Sequence, residues 1–516
     1  MAKQGILYGL DDRPPPRRAF VLALQHALTM FGSTVAIPLL FGPALWPVDK
    51  SADQAIQLAQ QAAQSHNIAT LISSVMLCSG LATLLQSTFG TRLPIIQGVS
   101  FSFIAPFFAI IAACAKDGLD GATMMQYIAG AIIAGAAIEA VVGFSGLMGW
   151  LRRVLSPVVV GPVIMLIGLA LFQHGAPKAG TYWPISGLTI VLIILFSFVL
   201  SRRHRLFRLF PILLAVVVSC GVCWIMSAAG VFATGHPAHV DLTPVHSAKW
   251  FRASPGEVVF PWGLPRFKIQ FFVAVLAGYL ASMIESFGDY HACCHMAGAN
   301  DPTPKQISRG IGFEGIGCAL TGVFGGFSST SYSENIGLVG LTRVASRYVV
   351  QIAAVILIAL GLFGKFGAFA ATIPGPVVGG LYCSLFGLIS AVGIQQLAKA
   401  DLSSDRNLFI SGFSLFMGLS VPAYFFAVGK VADITTVGQS WAIYRPTAEG
   451  LLALLSDGVR GIVVAVGSTG MAVAALIGIV LDNLIPGTPE ERGIKIPSLL
   501  TPEGADATEG GPVGLR

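Results

Sequence analysis

Charge is what this sequence has least of. Only 11% of its 516 residues are Asp, Glu, Lys or Arg, against about 25% in an ordinary soluble domain. So few charges cannot cover the surface of a water-soluble globule, and that class is excluded. Polar stretches of domain size are missing too: apolar runs recur from Ala19 to Leu481, which excludes a soluble body held by one anchor. A removable signal is also lacking. Asp11-Asp12-Arg13-Pro14-Pro15-Pro16-Arg17-Arg18 leads straight into the first apolar run with no small-residue cleavage site, so residues 1–18 read as a retained tail. The eight cysteines are scattered, mostly inside apolar runs, where a thiol behaves as a small hydrophobe. Cys220-Gly-Val-Cys223 and His291-Ala-Cys293-Cys294-His295 have redox-like and metal-like spacing but no matching half-site. No disulfide framework, metal or cofactor is expected.

What the sequence has in abundance is apolar surface: 54% of residues are hydrophobic and the mean hydropathy is +0.76. With 60 Gly and 29 Pro, uninterrupted helical rods are excluded in favour of close helix contacts and broken segments. The chain reads as an all-α polytopic membrane protein. At roughly 20 apolar residues per span, fourteen segments emerge, near 19–43, 67–89, 93–114, 123–150, 154–174, 184–200, 210–234, 269–290, 307–326, 328–342, 345–368, 371–394, 407–427 and 458–482. The net charge of +6 indicates topology rather than nucleic acid, because the basic residues sit in the gaps between apolar runs. Counted over tails and alternate loops, 20 Lys and Arg fall on the N-terminal side and 11 on the other, so both termini are expected in the cytoplasm.

Fourteen spans divide as seven plus seven, and an odd number per half forces the halves into opposite orientations, the arithmetic of an inverted-repeat transporter. The third segment of each half is abnormal. Pro94-Ile95-Ile96-Gln97-Gly98-Val99-Ser100-Phe101-Ser102-Phe103 and Ser328-Ser329-Thr330-Ser331-Tyr332-Ser333-Glu334-Asn335-Ile336-Gly337 are too polar and too rich in Gly or Ser to face lipid as helices. Val99, Phe101 and Phe103 alternate with Ser100 and Ser102, a period of two that suits an extended stretch. Extended backbone at membrane depth needs a partner, so the two stretches are expected to pair as short strands. Each would then hand over to a half-helix whose N-terminal amides face one central site.

Ionisable residues in spans are costly and rare, which singles out His26, Glu139, Glu285, Glu314 and Glu334. Glu139 lies on a face of Ala136, Ala137, Ala140 and Gly143 and reads equally as a structural hydrogen-bonding group. His26, beside Gln25, is either functional or a satisfied core pair; Asp289 and His291 are either functional or interfacial. Glu285, on a helix opening the second half, and Glu334, at a strand-to-helix junction, are harder to assign to packing. Two carboxylates near free amides accept ring N–H groups beside donors for exocyclic oxygens, which complements the H–N–C=O edge of a lactam or imide. An inorganic anion would be repelled by such a pair.

Ser333-Glu334-Asn335-Ile336-Gly337-Leu338-Val339-Gly340-Leu341-Thr342-Arg343 resembles the signature of the nucleobase–ascorbate transporter family, also called nucleobase:cation symporter-2. Gln25-His26, Glu285-Ser-Phe-Gly-Asp289 and Phe313-Glu314-Gly315 join it, and the resemblance spans roughly 19–482. It implies core domains over 19–150 and 269–368, gate domains over 151–234 and 369–484, and homodimers built through the gates. An extracytoplasmic loop over 235–268 and a disordered tail over 485–516 complete the expected organisation. Carried over residue by residue, the resemblance implies that Glu285 and Glu334 hold the base, with the amides of Phe101 and Ser333, the Phe101 ring and Ser100 beside it. His26, Glu314, Asn335 and Asp289 would couple a cation or brace the site, while Gln25, Thr342 and Arg343 would line the pathway. The sequence departs from bacterial uracil carriers of this family in having Asp289 where those tend to have His.

The expected function is proton-driven import of a neutral nucleobase, uracil or a xanthine-type purine, across the plasma membrane by an elevator-like movement. Ascorbate with sodium coupling is the alternative. An anion carrier or channel on the same architecture would be favoured by a cation where Glu334 stands. An intramembrane enzyme lacks both metal-ligand spacing and a nucleophile paired with a base.

Overall fold

The computed structural model describes residues 6–49, 51–149, 154–427 and 457–493. Arg152, Arg153 and the stretch from 494 onward lie outside the described residues. The first half comprises α1 (Pro16–Leu45), α2 (Gln54–Thr88), β1 (Gln97–Val99), α3 (Ile104–Lys116), α4 (Gly121–Ser145), α5 (Pro157–Ala170), α6 (Phe172–Gly180), α7 (Trp183–Ile194) and α8 (Pro211–Ala228). The second comprises α9 (Ile269–Met296), α10 (Pro304–Val323), β2 (Ser329–Ser331), α11 (Ser333–Thr342), α12 (Arg347–Leu362), α13 (Gly364–Ala371), α14 (Gly375–Leu397), α15 (Asp405–Ala427), α16 (Asp457–Gly467) and α17 (Gly470–Leu484). Eight helical stretches among the described residues are long and apolar enough to cross a membrane, and the protein is a mostly helical polytopic membrane protein with one two-stranded sheet.

Several segments differ from their sequence outlines for physical reasons. Helix α2 begins at Gln54 rather than near 67, because Gln-Ala-Ile-Gln-Leu-Ala-Gln-Gln-Ala-Ala-Gln forms helix readily although it is too polar for lipid. The fifth segment breaks between α5 and α6, the eleventh at Phe363 between α12 and α13, and the last at Ser468-Thr469 between α16 and α17. The sixth ends in a π-turn over Leu195–Val199. Such breaks are tolerated where protein neighbours satisfy the freed backbone.

Helices α1, α2, α4, α9, α10, α12 and α13 pack mainly on one another, and α5, α6, α7, α14, α15 and α17 form a second group. Glycine sets the tightest approaches. A Cβ on Gly80 of α2 would lie 2.6 Å from the Ala354 carbonyl oxygen of α12, and one on Gly143 of α4 would lie 2.2 Å from the Gly312 nitrogen of α10.

The first and last described residues are held. Leu7 N–H donates to the Arg343 carbonyl at 2.8 Å, and Ala345 N–H to the Tyr8 carbonyl at 2.8 Å, while Asp11 pairs with Arg347 at 2.6 Å. The expected disorder of 485–516 fails at its start, because Arg492 pairs with buried Asp482 at 2.6 Å and the Asn407 amide donates to the Glu491 carbonyl at 2.8 Å. The 235–268 connection caps the opposite end of the bundle. Trp262 Nε1 donates to the Gly325 carbonyl at 3.0 Å, the Gln126 amide donates to the Trp262 carbonyl at 2.7 Å, and Arg252 N–H donates to the Leu362 carbonyl at 2.9 Å.

Candidate functional site

The two abnormal segments meet. Strands β1 and β2 pair antiparallel, with Gln97 opposite Ser331, Gly98 opposite Thr330 and Val99 opposite Ser329, so each supplies the partner that lipid could not. Ser100 N–H donates to the Ser328 carbonyl and Tyr332 N–H to the Ile96 carbonyl, extending the ladder at both ends. The Tyr332 ring crosses the sheet over Gly98, where a Cβ would lie 2.3 Å from the ring, and its hydroxyl donates to the Val99 carbonyl at 3.0 Å. The extended stretch stops sooner than the Ser-Phe alternation implied. Phe101–Phe103 form a 3₁₀ turn because the Ser100 hydroxyl accepts from Ser102 N–H, a local side-chain bond that competes with strand geometry.

Two first-turn amides are left over. Phe101 and Ser333 occupy first helical positions, and neither N–H has an acceptor among the described residues. The Phe101 ring is half-buried and packs against the cluster of Val163, Leu166, Ile167 and Met471, at the boundary between the two helix groups.

Behind the strands lies a buried polar network. Glu314 Oε1 accepts from Ser286 at 2.7 Å and from Ser282 at 3.3 Å, and its Oε2 accepts from Tyr290 at 2.9 Å. Ser331 N–H in turn donates to the Ser286 hydroxyl at 3.2 Å, and Gln97 Nε2 donates to Ser331 Oγ at 3.0 Å. Glu314 thus holds β2 from behind and is itself buried. On the far side the Asn335 amide donates to the His26 carbonyl at 3.0 Å and lies 3.2 Å from His26 Nδ1. Donation there makes Nδ1 the acceptor of a neutral imidazole. This contact ties α11 to α1.

Of the remaining carboxylates, Glu285 and Glu334 are partly exposed and Asp289 is buried. Glu285 and Asp289 are four residues apart on one face of α9, and Glu285 lies within electrostatic reach of Asp289, Glu334 and Glu314. Glu285 makes no hydrogen bond among the described residues. Asp289 Oδ1 accepts from the Ser333 hydroxyl at 2.8 Å, leaving its buried Oδ2 unpaired. Glu334 Oε1 accepts from Ser33 at 3.1 Å. None of these three carboxylates pairs with a Lys or Arg among the described residues.

Other residues stand apart from this centre. Gln25 is on α1 with its side-chain oxygen buried and unpaired. Thr342 and Arg343 close α11: Thr342 donates to the Leu338 carbonyl, and Arg343 takes the left-handed conformation at φ 58° while its carbonyl receives the N-terminal tail. Glu139 is buried with Cys318 beside it, and neither of its carboxylate oxygens meets hydrogen-bond geometry with another described residue. Sequence reasoning missed Ser282, Ser286 and Tyr290, whose spacing of four on α9 was the available signal, and Tyr332, whose role depends on a glycine from the other half.

Comparison with known proteins places the chain in a family. Residues 17–426 match a permease family. Solute carrier family 23 member 2 of Rattus norvegicus is 38% identical, over 96% of this chain and 76% of that protein. Solute carrier family 23 member 1 of the same organism is 35% identical, over 95% and 82%, and nucleobase-ascorbate transporter 12 of Arabidopsis thaliana is 32% identical, over 95% and 71%. The transmembrane domain of a cyanobacterial bicarbonate transporter, BicA, covers 88% of this chain and 97% of its own at 15% identity and a TM-score of 0.45, too distant to bear on the site. The relatives are named as transporters rather than enzymes. On these matches, the chain belongs to the nucleobase–ascorbate transporter family and is an integral membrane transporter.

Proposed function

We propose that this transporter imports a neutral nucleobase, uracil or a xanthine-type purine, by proton symport across the plasma membrane with both termini in the cytoplasm. One observation carries the reading. Two carboxylates with no cationic partner among the described residues, Glu285 and Glu334, lie within electrostatic reach of each other, and the paired strands lead into two unbonded helix-start amides, Phe101 and Ser333. Ring N–H groups would donate to the carboxylates and exocyclic oxygens would accept from the amides, with the Phe101 ring against the base. Ser100 shapes the turn that presents Phe101. Coupling is assigned to His26, Glu285 and Glu314: a proton loads the site from outside and leaves to the cytoplasm. A proton on His26 Nδ1 would oppose the Asn335 amide and loosen α11 from α1.

The helix groups support a core of segments 1–4 and 8–11 moving against a gate of segments 5–7 and 12–14. The pairing pattern supports fourteen spans in an inverted repeat. Exchanging each segment for the one seven places away turns the α4–α10 contact into α12–α2, and α1–α12 into α9–α4, and all four contacts exist. An exposed apolar stripe of Phe409, Phe413 and Phe416 on α15 supports homodimerisation through the gate.

The test is uptake of labelled uracil and xanthine into proteoliposomes with and without an inward proton gradient; indifference to the gradient removes proton coupling. A second reading, sodium-coupled transport of ascorbate, is favoured by the unpaired Asp289 Oδ2 beside Glu285 and Glu334. An anionic substrate there needs a bound cation to offset repulsion. Uptake of labelled ascorbate that depends on sodium and is indifferent to the proton gradient would establish it.

A further inference from the structure

The connection between α7 and α8 carries Arg202, Arg203, His204, Arg205 and Arg208 within seven residues. These side chains line a cavity of about 340 Å³. At about 30 Å³ per water, that is room for roughly ten waters, or for a compact polar headgroup with part of its hydration. None of the four guanidinium groups is ion-paired or hydrogen-bonded among the described residues. The four arginines are exposed around one opening, and this concentration of positive charge favours an anion there.

The surroundings specify which anion. Phe198, Val199 and Leu206, beside the arginines in the chain, are 67%, 51% and 54% exposed, and α7 and α8 present Val191, Ile194, Val217 and Ile225 to the outside. A basic pocket bordered by apolar surface of this kind accommodates a molecule with a charged head and hydrocarbon tails. The wall from outside this connection is Leu341, in the last turn of α11 and two residues from the Arg343 carbonyl that receives the N-terminal tail. The cavity therefore lies at the same end of the molecule as the N-terminal tail. By the distribution of basic residues that end faces the cytoplasm, the side where anionic lipids concentrate in cell membranes.

We propose that this cavity is a binding site for the headgroup of an anionic phospholipid, the arginines taking the phosphodiester and the exposed face of Phe198 and Leu206 taking the acyl chains. Guanidinium forks suit phosphate oxygens bidentately, whereas a zwitterionic headgroup brings its own cation into the cluster.

The experiment uses the full chain, delipidated in detergent and examined by native mass spectrometry with dioleoylphosphatidylglycerol, dioleoylphosphatidylcholine or inorganic phosphate. The expected result is retention of phosphatidylglycerol about tenfold over phosphatidylcholine, unaffected by millimolar phosphate. Arg202→Gln/Arg205→Gln should lose that preference, and Lys305→Gln, at an exposed residue outside the cavity, should keep it. Equal retention of the two lipids, or an unchanged preference in the double variant, overturns the site. Displacement by inorganic phosphate overturns the lipid in favour of a free-anion site. A photoactivatable phosphatidylglycerol gives a readout that does not depend on the folding of a variant: adducts should map to peptides spanning 198–209, and adducts confined elsewhere overturn the proposal.

Discussion

The two arms that cross at the centre occupy equivalent places in the two halves, yet they are chemically unlike. The first leaves its strand through a serine-capped 3₁₀ turn and offers apolar rings, with Phe103 buried against Tyr279 at 4.7 Å between ring centroids and Phe101 at the boundary between helix groups. The second passes into helix within two residues, has no side-chain cap, and places Glu334 and Asn335 in its opening turn. One arm is a wall and the other a set of hydrogen-bonding groups. On the proposed reading, equivalent places in the two halves would thus form an asymmetric receptor, suited to a planar molecule with one polar edge.

That contrast can be broken from either side. The largest effect is expected at the polar arm and its partner helix. Glu334→Gln or Glu285→Gln removes a charge-assisted hydrogen bond of about 1.5–3 kcal/mol, so uptake of nucleobase should fall roughly 10- to 100-fold while the detergent-solubilised protein elutes normally. Near-normal uptake in both would sink the site assignment. Next is the crossing itself. Gly98→Val drives a side chain into the Tyr332 ring, and overpacking of this kind costs about 1–3 kcal/mol, so the melting temperature should drop and both arms should lose function together. Phe101→Ala at the apolar arm should raise KM by about fivefold, using about 1 kcal/mol for an aromatic contact, and leave proton dependence unchanged. The smallest effect belongs to Ser100→Ala, which deletes the cap on Ser102 N–H at a cost of about 1 kcal/mol, and is expected as a modest loss of thermal stability with a smaller rise in KM than Phe101→Ala.

The features legible in the chain were those written locally. Ser- and Gly-rich interruptions at matching positions marked both strands, and isolated carboxylates in apolar runs marked Glu285, Glu314 and Glu334. What escaped was written across the chain. The Ser-Phe alternation at 99–103 fits a strand and a capped turn equally well, and the structure resolves it through the hydroxyl of Ser100. The polar start of α2 is invisible to a search for apolar spans. The Arg406–Asp482–Arg492 cluster, with Asp482 contacting both arginines at 3.0 and 2.6 Å, joins residues more than seventy positions apart, and the docking of residues 7–11 onto 343–347 joins more than three hundred.

The most direct measurement compares each base with a partner whose ring N–H groups are replaced by N-methyl groups, which the two carboxylates cannot accept from. Thermal-shift titration of the wild-type protein with uracil and 1,3-dimethyluracil, and with xanthine and 1,3,7-trimethylxanthine, isolates that difference. The account predicts stabilisation by at least one parent base and none by its methylated partner. Equal stabilisation by the members of a pair would contradict recognition of ring N–H groups by Glu285 and Glu334.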